Sequence, residues 1–396
     1  MPKDRNALFV SYNAATEPLV KSQVLPYLSA LSATGIKFFF LSFEKDAAQG
    51  HAISEELSAL DISWIRLKFH NKPALFAKPF DILCGEFAVL RTCMTKKIGV
   101  VHARGIMGAC ISIIPAKLLG ARFVFDMKSS LAEAYRLSGR IKKDSVIYRV
   151  IAALERFCVL HSDEVIVETN LHKNELEKIS AHSKKVPRIT VLPCCVDVKR
   201  FNENGDHDYI RSGGAMKLVY LGSLSGWYMI PEMLEFFSAL KRLRPGSEFL
   251  FLSDDKDGSL GRLIKDKKLG GVIITKVPYD HVPKSLWGAT AGVLFKWPNE
   301  RLDSFPIKVA EYLAAGLPVV INSGMGDVED MVNNNRVGVV VGSCDEEAYI
   351  RAINELASLV SEGHRLQQRC ESVSAKELSS SFGLSVYNAI YTRLLA

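Results

Sequence analysis

The tightest constraint on this chain is an alternation that begins with its first apolar run. "ALFVSY" has strand length, the loop "NAATEP" follows, and "LVKSQVLPYLSALSATG" places Val24, Leu28 and Leu31 on one helical face before Gly35, which suits a helix end. "IKFFFLSF" then reads as a buried strand. Strand, helix and strand within about 40 residues form a βαβ unit, which implies a parallel sheet with a right-handed crossover. The alternation continues through "GVVHAR", "GACISIIPAKLLG", "ARFVFDM", a helical tract over 144–161, "DEVIVET", "NLHKNELEKIS" and "RITVLPC". These predict one doubly wound α/β domain over residues 1–200.

The polar stretch "KRFNENGDHDYIRSGGAM" shows no sustained period and predicts a linker over 201–215. After it the alternation restarts with "KLVYLGSLSG", "PEMLEFFSALKRL", "EFLFLSD", "GVIITKV", "VPKSLWGAT" and "AGVLFKW", and runs on through "PVVINS" and "RVGVVVG". A second domain of the same class is expected over 216–375, with a last helix, 376–396, packing back across the linker. The length of 396 residues agrees, since one core rarely serves more than ~100–200 residues.

Charge is uneven along the chain. Residues 1–200 hold 29 Lys and Arg against 19 Asp and Glu, whereas the remainder is slightly acidic. A basic half suits a phosphorylated ligand, nucleic acid or an anionic lipid surface, and equally an ordinary solubilising surface. No nucleic-acid-binding motif is present, which argues against that partner. The eight cysteines are scattered without a C-x-x-C pair, so neither a zinc site nor a disulfide framework is expected. With no bilayer-length apolar run and no signal-peptide pattern at the start, the expected location is cytoplasmic, with peripheral contact to the inner face of the plasma membrane. That contact is suggested by "WIRLKFHNKPALFAKPFDIL", where Arg66, Lys68, Lys72 and Lys78 interleave with Trp64, Phe69, Phe76 and Phe80. An ordinary loop and helix is the competing reading.

Doubly wound sheets bind ligands outside the carboxyl ends of their strands. The chemistry should therefore lie after "ALFVSY", "GVVHAR", "ARFVFD", "KLVYLG" and "AGVLFKW". In "DSFPIKVAEYLAAGLPVV", Asp303 or Ser304 can cap a helix, Pro306 suits its first turn, and Gly316 suits its end before Pro318. Its N-terminus offers N–H groups and a positive dipole to an anion, Lys308 adds a full charge, and Glu311 could bind ligand hydroxyls. Spacing alone equally allows Lys308 and Glu311 to pair on an exposed face.

The stretch resembles the donor-binding element of the retaining GT-B glycosyltransferases grouped as family four, in the branch reading S-x-P-x-K-x-x-E-Y-x-A-x-G-x-P-V. Ser304, Pro306, Lys308, Glu311, Tyr312, Ala314, Gly316 and Pro318 match it. Nearly the whole chain shares the likeness: "EPLVKSQVLPYLSAL", "GVVHARG", "FVFDMK", "ITVLPCCVDVKRF", "LVYLGSLSGWY" and "GDVEDMVNNNRVGVVV" resemble successive family segments. The resemblance implies two Rossmann-like domains facing across a cleft. It also implies retaining, metal-independent transfer of a sugar from a UDP- or GDP-linked donor, with no other cofactor, to a glycan or lipid-linked acceptor in polysaccharide or glycolipid synthesis.

By the same resemblance, Glu311 binds the nucleotide ribose, and Asp303 takes the place of the glutamate that contacts the donor sugar, one methylene shorter. Ser223 stands where many relatives have Arg. The leaving diphosphate is accordingly expected on Lys308, the helix N-terminus with Ser304, Pro306 and Ile307, the backbone N–H groups from Gly222 to Ser225, and the nearby cations Lys296 and Arg301. His102 matches a position near the reacting sugar, with a satisfied strand-end histidine as the plainer alternative. Glu17, Lys21, Arg104, Gly105, Asp126 and Lys128 are acceptor-side candidates, and no side-chain nucleophile is expected. The reading from another class is a catalytically silent GT-B subunit that binds a nucleotide or a partner transferase.

Overall fold

The computed structural model describes residues 5–45, 50–72, 74–181, 183, 186–202, 214–224, 227–298 and 303–396. Contacts divide the chain into two compact units, Met1–Pro193 with Gly383–Ala396, and Cys194–Phe382. The first division comes a few residues before the expected residue 200, because Val196 and Phe201 are buried in the second unit's core. The backbone N–H of Val196 is also held there, by the carbonyl of Leu378. Most of the expected linker lies outside the described residues.

The first unit is built on strands β1 (Asn6–Ser11), β2 (Lys37–Glu44), β3 (Ile62–Lys68), β4 (Val100–Arg104), β5 (Arg122–Lys128), β6 (Glu164–Val167) and β7 (Arg188–Val191). Their order is β3-β2-β1-β4-β5-β6-β7 and every pairing is parallel. Apolar runs such as Phe123–Phe125 fill the interior strands because helices cover both faces of a parallel sheet. The second unit repeats the plan with β8 (Lys217–Leu221), β9 (Glu248–Leu252), β10 (Val272–Thr275), β11 (Ala291–Leu294), β12 (Val319–Asn322) and β13 (Gly338–Val341), ordered β10-β9-β8-β11-β12-β13. In each sheet the order reverses beside the first strand, between β1 and β4 and between β8 and β11, which marks the binding end of this architecture.

Three local expectations are corrected. The single helix expected after residue 18 is two, Pro18–Gln23 and Leu25–Ser32, because Pro26 cannot donate to the preceding turn and Val24 leaves helical geometry. β3 and the helix Ala74–Lys96 occupy the segment read above as a basic and aromatic surface. There Trp64 donates to Ser42, Arg66 stacks on Trp64, and Phe69 packs edge-on against Tyr12, so two of its four aromatic rings serve the domain itself, while Phe80 is exposed. The Phe76 side chain lies outside the described residues. The third correction concerns the opening of the motif helix and is given below.

The last helix, Ser380–Leu395, places Tyr387, Ile390 and Tyr391 in the first unit's interior. All eight cysteines are free. Among the described residues, no helix is long and apolar enough to cross a membrane.

Candidate functional site

In the second unit the motif helix runs from Ile307 to Ala314, and Pro306 is its N-cap without a side-chain cap. Asp303 and Ser304 therefore lie before the helix, and neither is its N-cap residue. At the other end Gly316 adopts φ +67°, and the bonds Gly316 N–H to Leu313 O and Leu317 N–H to Tyr312 O close a Schellman turn. The helix is almost wholly buried, so an exposed Lys308–Glu311 pair is excluded: Lys308 is 7% and Glu311 4% exposed.

Lys308 is enclosed by groups from β8 and the segment after it. Its Nζ donates to the Tyr220 hydroxyl at 3.1 Å and lies 3.3 Å from the centre of the Tyr228 ring. Tyr220 in turn donates to the carbonyl of Ser223 at 2.5 Å. Gly222 has φ +114°, and a Cβ there would lie 2.5 Å from Lys308 Cε, so this position needs glycine for both conformation and space. The N–H of Gly222 is committed to Leu252 O at 3.0 Å, which removes it from the set of phosphate donors expected above. Tyr312 supports the fold from the same helix. Its hydroxyl accepts from Leu221 N–H at 2.8 Å, and its ring lies where a Cβ on Gly292 would be 2.3 Å away.

Burial pushes the Lys308 pKa well below the ordinary lysine value, with Glu311 opposing. Burial likewise pushes the Glu311 pKa up to about 7, against the fields of Lys308 and Arg200. Among the described residues, no group donates a hydrogen bond to the Glu311 carboxylate. Two residues absent from the expected set stand near it. Arg200, on the short helix Lys199–Asn202, lies 4.4 Å over the Tyr279 ring, and the acidity of Tyr279 is in turn weakened by burial and then by Glu311. The only sequence signals were "KRF" in the pre-linker segment and "PYD" after β10.

The main chain of Lys296 is fixed by Asn322, whose amide accepts from Lys296 N–H at 2.7 Å and donates to its carbonyl at 2.9 Å. Tyr228 forms an antiparallel bridge with Lys296, so the chain after β11 is tied to the segment that stacks on Lys308. Lys296 and Asp303 are both buried, Ser304, Pro306 and Ile307 are partly buried, and Ser223 is exposed. Ser225 and Arg301 lie outside the described residues.

In the first unit, His102 lies within β4 and not at its end. It is 1% exposed, its Nδ1 is 2.8 Å from the Tyr391 hydroxyl, and its ring packs on Phe9, Tyr387 and Tyr391. Burial lowers its pKa to about 4. These are the marks of a neutral core histidine. The end of β4 is Arg104, which donates to Asp126 at 3.1 Å and to Gln23 at 2.7 Å, and Gly105 follows with φ +69°. Lys128 stands 3.6 Å from Asp126 and 3.8 Å from Glu168. Burial raises the Asp126 pKa, but Lys128, Arg104 and His102 outweigh it and hold the carboxylate below its ordinary value.

Arg104, Asp126 and Lys128 thus form one cluster. Glu17 and Lys21 stand apart from it in separate ion pairs, with Lys45 at 2.8 Å and Glu56 at 3.9 Å. The residue of their helix that reaches the cluster is Gln23. Among the described residues, no group of three or more His, Cys, Asp or Glu is placed to hold a metal ion.

Residues 215–358 match the family model described as Glycosyl transferases group 1. The matched region contains Gly222, Tyr228, Lys308 and Glu311. Solved structures similar to nearly the whole chain include a glycosyltransferase from Rickettsia africae, at 18% identity with 98% of each chain covered and a TM-score of 0.71. Sucrose-phosphate synthase from Thermosynechococcus elongatus is 14% identical over 98% of each chain, with a TM-score of 0.72. HepE of Anabaena, solved in complex with UDP, is 12% identical over 98% of this chain and 99% of its own, with a TM-score of 0.68. No protein of curated function matches the sequence. The two parallel sheets with interleaved helices are a GT-B fold of two Rossmann-like domains, and the group 1 match supports glycosyl transfer as the chemistry.

Proposed function

We propose that the protein is a retaining glycosyltransferase that moves a sugar from a UDP- or GDP-linked donor to a glycan or lipid-linked acceptor in polysaccharide or glycolipid synthesis. One observation carries the reading: the group 1 region buries a lysine against a glycine loop and a glutamate one turn further along the same helix, both at the binding end of the sheet. Each has an unfavourable ionisation that a bound ligand would relieve. A diphosphate beside Lys308 would supply the counter-charge its burial lacks, and ribose hydroxyls would donate to the Glu311 carboxylate. HepE, solved with UDP and with UDP-glucose, supports a nucleotide sugar as the donor.

The chain's residues then divide the work. Lys308, aided by the first-turn N–H groups of the Ile307–Ala314 helix and by Lys296, stabilises the charge of roughly −2 that develops on the departing nucleoside diphosphate. Ser223, Ser225, Arg301, Ser304, Pro306 and Ile307 complete the donor side, and Asp303 reaches toward the sugar. Attack comes from the face the leaving group occupies, and the departing phosphate oxygen accepts the acceptor's proton, so no side chain serves as nucleophile and no step is assigned to a metal. Arg104, Gly105, Asp126 and Lys128 form the acceptor side. His102 is left out because its ring is enclosed.

The test is a thermal-shift panel of UDP, GDP and ADP, followed by donor hydrolysis with the matching sugar nucleotides. A shift with one nucleotide, and slow hydrolysis lost in Lys308→Ala and Glu311→Ala, support the reading. No shift with any nucleotide sinks it, and binding without turnover in any acceptor extract assigns the chain to the silent-subunit class.

A further inference from the structure

The helix Val146–His161 is amphipathic in the reverse sense. Val146, Ile147, Val150, Leu154 and Phe157 fall on one arc of roughly 120° by helical geometry. In a surface helix such an arc normally faces the core. Here these five side chains face solvent, from 42% exposed at Phe157 to 75% at Val146, while Glu155, Cys158 and Val159 point inward. Glu155 is the helix's sole carboxylate, and it is spent internally on Ser130 at 2.9 Å and the N–H of Leu131 at 2.5 Å. The charges at the border of the apolar arc are therefore the exposed Arg149 and Arg156.

The neighbouring helices extend this character. The helix Gly105–Leu118 packs against both Val146–His161 and Ala74–Lys96, so the three form one layer. Ala74–Lys96 exposes Phe80, Leu83 and Phe87, together with Lys78, Arg91 and Lys96. Its Asp81 is fully buried on Tyr12 and His70, which leaves Glu86 as the only acid on the three helices that is not buried. Between β3 and Ala74–Lys96 runs a groove of about 740 Å³, lined by Phe39, Ile65, Leu67 and Phe87 and edged by Arg91 and Lys96.

We propose that the outer face of this three-helix layer docks on an anionic lipid bilayer surface. The apolar arc would enter the headgroup boundary, Arg149, Arg156 and the basic residues of Ala74–Lys96 would meet lipid phosphates, and the groove would accept an acyl chain. Charge complementarity chooses this occupant: a second copy of the same face would bring arginines and lysines against themselves, whereas an anionic leaflet attracts each of them. The inference rests on this surface alone and not on the donor-site reading, so the two fail separately.

Flotation of the full-length protein with vesicles tests it, comparing pure phosphatidylcholine with phosphatidylcholine containing about one third phosphatidylglycerol. Binding is expected only to the anionic vesicles, weakening with salt. It should fall by about tenfold or more in Val150→Glu/Leu154→Glu and several-fold in Arg149→Gln/Arg156→Gln. All four positions are exposed, so unchanged circular dichroism and an unchanged ligand-free Tm are the controls for folding. Equal binding to both vesicle types, no binding to either, or insensitivity to the variants overturns the proposal. So does a concentration-dependent dimer, seen by light scattering, that Val150→Glu/Leu154→Glu dissociates.

Discussion

The ammonium of Lys308 lies 3.3 Å from the centre of the Tyr228 ring and within hydrogen-bond distance of the Tyr220 hydroxyl, with no carboxylate paired to it among the described residues. Two aromatic faces offset part of the cost of taking this charge out of water. The remainder is a stability cost that the free protein carries and a bound anion would remove.

Lys308→Met tests that cost. It removes the buried charge at similar volume, so the ligand-free variant should be more stable by about 1–2 kcal/mol, a rise of a few degrees in Tm. The same variant should lose the nucleotide-induced thermal shift. A lower Tm without ligand would mean that Lys308 contributes net stability, and the account of an uncompensated buried charge would then be wrong.

Glu311 makes the second unit's stability depend on pH. Its pKa is about 7 when folded against an ordinary 4.5, so the folded state holds the proton more tightly. Its contribution is fully present below pH 4.5 and is lost as pH rises to about 7, with a ceiling on the order of 3 kcal/mol. In Glu311→Gln this fall should vanish. Denaturant midpoints at pH 5 and pH 7.5, wild type against variant, measure it, and parallel curves would refute the assignment.

Gly222→Ala should damage the site without touching a charged group. The new methyl lies on Lys308 Cε and the backbone is at positive φ, so the lysine must leave its place over Tyr228. Nucleotide affinity should fall about tenfold or more, equivalent to about 1.4 kcal/mol or above. Calorimetric titration reads this directly, and unchanged affinity would show that the lysine's position is immaterial.

His102 carries the opposite pH signature in the first unit. Its folded pKa of about 4 lies below the ordinary 6.5, so its contribution is present above pH 6.5 and is lost as pH falls toward 4. His102→Gln should cost about 1–2 kcal/mol at pH 7 through the bond to Tyr391 and the ring packing, while flattening the acid limb of stability. Donor hydrolysis by the folded variant should be near wild type. Near-complete loss of turnover with stability intact would instead return His102 to the reacting centre.

Some of this could be read along the chain and some could not. Strand, helix, strand alternation is set by near neighbours, through apolar period and the placing of glycine and proline, so most elements and both doubly wound domains are legible. The motif from Ser304 to Pro318 is legible for the same reason. The edge strand β3 is not, because its alternation of Ile65 and Leu67 with Arg66 and Lys68 looks like any basic, aromatic surface segment.

What a residue faces is decided by distant chain. Lys308 is sequestered by tyrosines about 80 residues earlier, and the Nδ1 of His102 is bonded by Tyr391, 289 residues away, so neither burial nor proton affinity is written in their own surroundings. The apolar period of Val146–His161 is plain in the sequence, and only the packed layer shows that the helix turns Glu155 inward and its apolar arc to solvent. Periodicity states that a face exists. Tertiary packing, which seats each helix by its best-satisfied side, decides where that face points.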